Sequence, residues 1–304
     1  MALHLALLIV CLAPARFETA PPPLPTIDEV LARLDRTEAA IDNLSVTTRY
    51  VKHDRSMMPG NKPVRVEMTT KFVVDREGRS RYDCEGEQVN FGPKKGEVRT
   101  YKGRWSMAFD GKVATSLTSG ADGKPHFAEI SDYPAWHGVN PLEFTTRYFQ
   151  KTVTSTLRAK KGRVVEWKAR QSRPVVVAET EVFTSKDGKG WKTRYWIDME
   201  RGVIVRRAAL MMRTPEQGWR EYTRIESDDQ KETAPGIWLP MRMLYESVDV
   251  PADGGPEEMS WRFEGVNSDW VVNQKLPDGL FRLTFPEDLQ VNDHRKPKPP
   301  TDAK

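Results

Sequence analysis

The sequence is poor in the residues that most often carry chemistry. Its 304 residues include two cysteines and five histidines. They contain no G-x-S-x-G elbow, no H-E-x-x-H pair, no Walker loop and no dinucleotide-binding glycine pattern. His53, His126 and His137 are not spaced with cysteine or carboxylate residues in the way that zinc ligands are. The sequence therefore predicts no catalytic residue, no metal site and no cofactor.

A strong excess of one charge is also missing. The chain has 47 Lys and Arg against 43 Asp and Glu, a net charge of +4. Much of this excess lies in residues 294–304, which contain Arg295, Lys296, Lys298 and Lys304 against Asp302. A nearly neutral body has no basic face for the phosphate backbone, so nucleic acid is not an expected partner.

Only the first residues form an apolar run. Residues 1–12 are almost entirely apolar and precede Ala13-Pro14-Ala15, which predicts a secretory signal over residues 1–15 with cleavage near Ala15; a buried N-terminal strand is the alternative. No later stretch approaches the roughly 20 apolar residues of a spanning helix. We expect a soluble periplasmic or secreted protein. Val10 is too large to precede a lipid-modified Cys11, so no lipid anchor is expected, and Cys84 alone cannot form a disulfide within the chain.

A proline-rich leader over residues 16–25 precedes a helix signal. Thr26 and Glu29 have the spacing of a capping box, and apolar residues follow at helical spacing. The pattern predicts one amphipathic helix over residues 26–42.

From Leu44 onward, apolar and polar residues alternate with period two. The runs 64–75, 105–109, 191–198, 241–246 and 259–264 each have one apolar and one polar face, as in antiparallel strands. Gly78, Gly111, Gly123 and Gly188 lie between strand-like runs and predict tight turns. We expect a mainly β protein of the α+β kind, with about ten strands in one domain over residues 26–293, a second short helix from Leu142 to Gln150, and a basic disordered tail over 294–304.

Carboxylates and tryptophans offer two further interpretations. Asp83 and Glu85, like Glu179 and Glu181, share a strand face and could serve a glycosidase, although cross-strand ion pairs are the commoner role of such residues. Nine tryptophans indicate either a large β core or a stacking surface. By strand parity Trp105, Trp191 and Trp261 are expected to be buried, and Trp167, Trp196 and Trp238 to be exposed.

Three features together resemble the periplasmic lipoprotein carriers LolA and LolB and their relatives. The first is the order of export signal, amphipathic helix and many antiparallel strands. The second is the hairpin Phe109-Asp110-Gly111-Lys112, followed later by 195–198 and 202–204. The third is the C-terminal pattern in 273–281 and 285–293, with a Leu-Pro pair, a Phe, a Phe-Pro pair and Val-x-Asp. The resemblance spans residues 26–293, and this chain has extra sequence around 120–140 and 251–256.

The resemblance implies a half-open β-barrel, or strongly curved sheet, with helices as a lid over an apolar concavity that takes acyl chains. It also implies an arginine that holds the lid, for which Arg65 and Arg194 are candidates. The cavity wall predicted from strand parity comprises Leu31, Leu34, Phe72, Val74, Trp105, Met107, Tyr195, Ile197, Met241, Met243, Trp261 and Phe263.

Three functions follow from these observations. The first is a periplasmic, non-catalytic carrier of a lipid or lipoprotein acyl chain. The second is an envelope-sensing or protein-interaction domain on the same fold, which the basic tail and exposed tryptophans would suit. The third is a secreted hydrolase that uses Asp83 or Glu85.

Overall fold

The computed structural model describes residues 23–54, 64–91, 98–134, 143, 145–148, 151–170, 173–214, 218–249 and 258–295. The predicted signal segment, most of the predicted leader and residues 296–304 of the predicted tail lie outside the described residues. Most of the described residues belong to strands, and two helices accompany them.

The helices are α1 (Ile27–Ala39) and α2 (Val153–Ala159). The strands of the N-terminal half are β1 (Asn43–Asp54), β2 (Val64–Asp75), β3 (Ser80–Phe91), β4 (Val98–Phe109), β5 (Ala114–Ser119), β6 (Pro125–Ser131), β7 (Arg147–Tyr148) and β8 (Lys151–Thr152). Those of the C-terminal half are β9 (Arg163–Arg170), β10 (Arg173–Glu179), β11 (Phe183–Thr184), β12 (Gly190–Asp198), β13 (Ile204–Thr214), β14 (Gly218–Ala234), β15 (Ile237–Asp249), β16 (Glu258–Val272) and β17 (Val291–Asp293).

One large sheet contains fifteen of these strands in the order β17-β6-β5-β4-β3-β2-β1-β16-β15-β14-β13-β12-β10-β9, with β11 paired to β12. Its pairings are antiparallel except for β17 with β6, and the curved sheet is not closed into a barrel. The predicted mainly β fold is therefore confirmed, while the expected ten strands were too few. Strands such as β10 were missed because Val175-Val176-Val177 is a continuous apolar run without alternation.

Helix α1 begins where the capping box predicts. The Glu29 amide donates to Thr26 Oγ1 at 3.3 Å, and the Thr26 amide donates to Glu29 Oε2 at 2.7 Å. The helix ends at Ala39, three residues before the predicted end. Beyond it, Asn273 Oδ1 accepts from the Asp42 amide at 2.7 Å, which directs the chain into β1.

The second helix lies at a different place from the one predicted. Of the predicted segment Leu142–Gln150, Arg147 and Tyr148 form β7, and residues 142, 144, 149 and 150 lie outside the described residues. The N-cap of the observed α2 is Thr152, whose Oγ1 accepts from the Ser155 amide at 3.0 Å. Its β-branched sequence has low helix propensity. Burial of Val153 and Leu157 against the sheet outweighs that preference.

The glycine turns are confirmed. Gly78, Gly111, Gly123 and Gly188 all have positive φ between +74° and +95°, the region that tight hairpin turns require. Gly86 has a different reason to be glycine, because a Cβ there would lie 2.4 Å from the Glu67 carbonyl oxygen. The β2 and β3 backbones thus approach each other closely at this point.

The two faces of the sheet differ sharply. One face, called the apolar face, carries a hairpin cluster from β1 to β4 and a lid cluster in which α1 and α2 pack on β10 and β12 to β15. The hairpin cluster contains Leu44, Val46, Phe72, Val74, Tyr82, Cys84, Trp105 and Met107. The lid cluster includes Val30, Leu31, Leu34, Val153, Leu157, Val176, Ala178, Tyr195, Ile197, Ala208, Ile225, Met243 and Tyr245. The alternate side chains of the same strands form the polar face, which includes Arg49, Glu67, Glu85, Arg104 and Glu264.

Candidate functional site

The structure divides the predicted wall residues between the two clusters. Leu31, Leu34, Tyr195, Ile197 and Met243 belong to the lid cluster, against which the half-buried Trp261 and Phe263 pack, whereas Phe72, Val74, Trp105 and Met107 belong to the hairpin cluster. Met241 is half-buried and belongs to neither cluster. The buried members are at most 7% exposed. The residues of each cluster pack together, and those of the lid cluster also pack against α1 and α2, so that these side chains fill the space that an empty cavity would need.

Aromatic rings connect the two clusters along the apolar face. The ring of Trp261 lies 4.3 Å from that of Tyr245 and 5.4 Å from that of Phe263. Phe263 in turn lies 5.8 Å from Tyr50. Edge-to-face packing of this kind stabilises a core beyond the area it buries. The apolar face is therefore continuous from β15 to β1.

A small polar group is enclosed at the centre of this face. The hydroxyl groups of Tyr50 and Tyr82 lie 3.1 Å apart, and the Tyr50 hydroxyl donates to Met68 Sδ at 3.4 Å. Burial raises the pKa of Tyr50 well above its usual range and the pKa of the Cys84 thiol to about 11. Cys84 is thus a buried strand residue, and its thiol stays protonated at neutral pH.

Polar contacts at the periphery of the apolar face hold the two lid helices, α1 and α2. The Arg158 Nη2 to Asp35 Oδ2 distance between α2 and α1 is 2.5 Å, and Arg147 Nε lies 3.8 Å from Glu38 Oε1. Arg33 donates to the Met199 carbonyl at 3.3 Å. The sequence did not point to these three arginines, because nothing in its pattern shows which residues face the helix.

The two arginines suggested for this role lie elsewhere. Arg65 pairs with Glu67, and Arg194 donates to Glu179 at 3.0 Å, both on the polar face. Strand alternation places that face on the side of the sheet opposite α1. Neither residue holds the lid, so this expectation was wrong.

A hollow of about 350 Å³ opens at the edge of the lid. It lies between the C-terminal end of α2 and strands β12 and β13, and its apolar lining residues are Ala159, Val182, Phe183, Trp191 and Leu210. Lys160, Glu181 and Lys192 contribute polar groups. Trp191 is half-buried, and its side chain lies on the same face of β12 as Tyr195, four residues further along the strand. The hollow therefore leads toward the lid cluster.

A larger groove of about 920 Å³ lies on the polar face. Seven neighbouring strands each supply two alternate residues to its lining: Lys102 and Arg104, Glu85 and Glu87, Glu67 and Thr69, Arg49 and Val51, Glu264 and Val266, Arg242 and Leu244, Glu226 and Asp228. Residues at i and i+2 share one face of a strand, so these side chains all project to the polar side. Tyr50, Met68 and Met243, which alternate with these residues and project to the apolar side, also contribute to its lining. No pattern in the sequence predicts this groove.

Most charged side chains of the groove form ion pairs. Arg262 Nε lies 2.6 Å from Glu264 Oε1, and Glu226 Oε2 lies 2.8 Å from Arg170. Arg49 and Lys102 are exposed and have no ion-pair partner among the described residues. The groove therefore presents cations that a ligand could neutralise.

The carboxylates considered for hydrolysis are engaged in ion pairs. Asp83 accepts from Arg81 and from the Ser106 hydroxyl, the latter at 2.6 Å, and Glu85 Oε2 lies 3.4 Å from Arg104. Burial would raise the pKa of Glu179, but hydrogen bonds from Lys192, Arg163 and Arg194 outweigh it and lower that pKa to about 2. A carboxylate held ionised in this way is a poor general acid at neutral pH.

Trp196 was predicted to be exposed, but it is buried. It is 7% exposed, because the Arg207 guanidinium lies 4.6 Å from its ring centroid and Val175, Val177 and Ala209 pack beside it on the polar face. Trp167 and Trp238 are half-buried.

In the described part of the chain, no group of three or more His, Cys, Asp or Glu is placed to hold a metal ion. Neither of the described helices has the length and apolar character needed to span a bilayer.

No family model and no curated protein matches the sequence. Among solved structures, the fold is similar to an outer membrane lipoprotein-sorting protein domain from Vibrio parahaemolyticus, at 10% identity and a TM-score of 0.46 over 84% of this chain and 96% of that chain. It is similar to a DUF1329 family protein from Desulfovibrio piger, at 10% identity and a TM-score of 0.44 over 84% and 95% of the two chains. MucB in complex with MucA(peri) aligns at 12% identity and a TM-score of 0.23 over 79% and 92%.

One of these solved structures is a domain of the kind that the sequence motifs resemble. At these identities and TM-scores, no ligand or partner is carried over from those proteins.

Proposed function

We propose that this protein is an exported, periplasmic, non-catalytic carrier that binds the acyl chain of a lipid or lipoprotein on the apolar face, beneath α1 and α2. The observation that carries the proposal is the hollow at the edge of the lid. Trp191 and Leu210 form its apolar walls, and strands β12 and β13 continue from them into the lid cluster. The end of an acyl chain that enters the hollow would therefore continue directly toward Tyr195 and Ala208.

The size of the hollow limits what it takes without rearrangement. Its 350 Å³ lies near the lower end of the roughly 300–1,000 Å³ of ordinary ligand pockets. A longer chain requires α1 and α2 to lift from the sheet, after which Leu31, Leu34, Tyr195 and Ile197 become its wall. Transfer of each methylene from water stabilises the complex by about 0.8 kcal/mol, so an acyl chain can offset the cost of opening the lid.

A fluorescent fatty acid titrated into the purified protein tests this proposal. We expect saturable binding at one site and competition by unlabelled fatty acid. Leu210→Asp places a carboxylate among apolar walls and should weaken binding at least tenfold, because the charge must be desolvated when the chain enters.

Leu117→Asp is the matched control. Leu117 is also a half-buried strand leucine, but it lies on the polar face of β5, away from the hollow. This variant should bind as the unaltered protein does. A protein that ignores the fatty acid, or equal affinity of the two aspartate variants, would contradict the proposal.

The polar groove supports a second candidate, an envelope sensing or protein-interaction role. Its centre contains Val266, which is 56% exposed, between the cations of Arg49 and Arg242. An extended polypeptide segment with acidic side chains would neutralise Arg49 and cover Val266.

Site-specific photocrosslinking in the native host tests this second role. A crosslinker at position 266 should give one adduct of defined mass, and Arg49→Ala should reduce its yield. The same crosslinker at Val271, 42% exposed on the same strand but outside the groove, is the control. Equal adducts from both positions would exclude a partner specific to the groove.

A further inference from the structure

We propose that one end of the large sheet docks on an anionic lipid bilayer surface. This end, called the aromatic end, is defined by Val182, Phe183, Trp191, Trp219 and Tyr222. It lies where the β11–β12 hairpin projects and where β13 and β14 meet. Val182, Phe183 and Trp191 also line the hollow, but the inference goes beyond the proposed function, because it concerns docking on a bilayer and does not depend on which ligand the hollow takes.

The members of the aromatic end converge in space. Phe183 pairs directly with Trp191 across β11 and β12, and the Trp191 and Tyr222 rings are 5.5 Å apart in an edge-to-face arrangement. A Cβ built on Gly190 would lie 3.5 Å from both Val182 and Trp219. Strand alternation places Phe183, Trp191 and Tyr222 on the apolar side of this end and Val182 and Trp219 on its polar side, so that together they surround the tip of the sheet.

The aromatic end exposes large apolar side chains to solvent. Phe183 is 65% exposed and Val182 is 42% exposed, while Trp191, Trp219 and Tyr222 are half-buried. Tryptophan and tyrosine with one apolar and one polar edge are enriched at the level of lipid headgroups. A bilayer would cover Phe183 and Val182 and leave the half-buried rings at the boundary.

Basic residues surround the apolar centre. Five basic side chains on the surrounding segments reach solvent, namely Lys160, Lys161, Arg163, Lys186 and Lys189. The acidic residues exposed there are Glu181, 3.5 Å from Lys161, and Asp187, 2.9 Å from Lys189. Lys160 and Lys186 have no ion-pair partner among the described residues. The excess of positive charge is complementary to anionic headgroups.

Further cations lie against the aromatic rings themselves. The guanidinium of the exposed Arg213 lies 5.3 Å from the centroid of the Trp219 ring, and Lys192 Nζ, which is paired with Glu179, lies 4.6 Å from it. Long basic side chains can keep their charge among headgroups while their stems cover apolar surface. The aromatic end thus combines an insertable apolar tip, interfacial rings and cations within one hairpin and its neighbours.

Flotation of the purified protein with vesicles tests the proposal. We expect binding to vesicles that contain phosphatidylglycerol, with weak binding to phosphatidylcholine alone. Phe183→Ser should lower the partition coefficient about tenfold, because the largest inserting side chain is lost. The double variant Lys161→Glu and Lys186→Glu should lower the partition coefficient by at least about fivefold for each substituted lysine. It should also remove the preference for phosphatidylglycerol.

Matched controls use equally exposed residues elsewhere. Tyr133→Ser removes an aromatic residue that is 70% exposed outside the aromatic end, and the double variant Lys112→Glu and Lys124→Glu changes two exposed lysines in other hairpins. Both should float as the unaltered protein does. Equal losses in test and control variants, or absence of the protein from anionic vesicles, would overturn the proposal. Concentration-dependent dimers abolished by Phe183→Ser, without flotation, would assign the surface to a second copy instead.

The experiment separates this proposal from the carrier proposal. Leu210→Asp should weaken fatty acid binding at least tenfold and preserve flotation. The double variant Lys161→Glu and Lys186→Glu should do the reverse, since neither lysine lines the hollow. Loss of flotation in Leu210→Asp with a normal fold would count against a separate docking surface.

Discussion

The two faces of the sheet are built from alternate residues of the same strands, yet they create space in opposite ways. On the apolar face, side chains such as Tyr195 fill the region between sheet and helices, and Phe72 is fully buried within the hairpin cluster. On the polar face, the charged side chains extend toward solvent and leave a groove of about 920 Å³. Curvature alone therefore does not make an apolar cavity, because large side chains can occupy the space it creates.

Phe72 and Lys71 provide the sharpest test of this difference, because they are adjacent in β2 and face opposite sides. Phe72 is fully buried in the hairpin cluster, whereas Lys71 is exposed. Phe72→Ala should lower the free energy of unfolding by about 4 kcal/mol, since it removes a buried ring and leaves a void. Lys71→Ala should change it by less than about 0.5 kcal/mol. Urea denaturation of both variants measures the contrast, and similar losses would mean that the faces are not separated as described.

Glu179 shows that the polar face also contains stabilising interactions. Its carboxylate accepts hydrogen bonds from Arg163, Lys192 and Arg194. Glu179→Gln should lower the free energy of unfolding by about 3 kcal/mol at pH 7, because it leaves these cations without their shared partner. The pKa of Glu179 in the fold is about 2, below its ordinary value of 4.5, so its contribution is present above pH 4.5 and is lost as the pH falls toward 2.

Denaturation as a function of pH checks this second prediction. The unaltered protein should lose stability between about pH 5 and pH 2, and Glu179→Gln should lose less over the same interval. Glu166→Gln is the control, because Glu166 forms a 3.1 Å pair with Lys168 in which both side chains are more than 40% exposed. Parallel pH profiles for the unaltered protein and Glu179→Gln would refute the role assigned to this carboxylate.

The sequence was sufficient to predict the features that local chemistry determines. The capping box positioned the start of α1, and alternation in β2, β4, β12, β15 and β16 separated the two faces correctly because the side-chain period of a strand is two. Long-range packing determined the rest. Val153 and Leu157 form a helix against local propensity, and Trp196 is buried because Arg207 covers it. The polar groove arises from the curvature of seven strands, which no local pattern encodes.

The hydroxyl pair of Tyr50 and Tyr82 tests whether the centre of the apolar face is specifically arranged or merely filled. Tyr50→Phe removes the 3.1 Å contact and the hydrogen bond to Met68, and should cost about 1 kcal/mol. A double-mutant cycle with Tyr82→Phe should give a coupling energy of similar size, because both hydroxyl groups belong to one interaction. Tyr133→Phe, at a residue 70% exposed, should have no effect. Additive losses in the cycle would show that the two hydroxyl groups do not interact.

The smallest effect is expected at Arg49, the residue next to Tyr50 on the opposite face. Arg49 is exposed in the polar groove and has no ion-pair partner among the described residues, so Arg49→Ala should change the free energy of unfolding by less than about 0.5 kcal/mol. A cation that contributes so little to folding remains available to a ligand. Urea denaturation provides the measurement, and a loss above 1 kcal/mol would show that Arg49 supports the fold. Such a loss would also remove the main electrostatic argument for a partner in the groove and leave the hollow beside α2 as the better supported binding site.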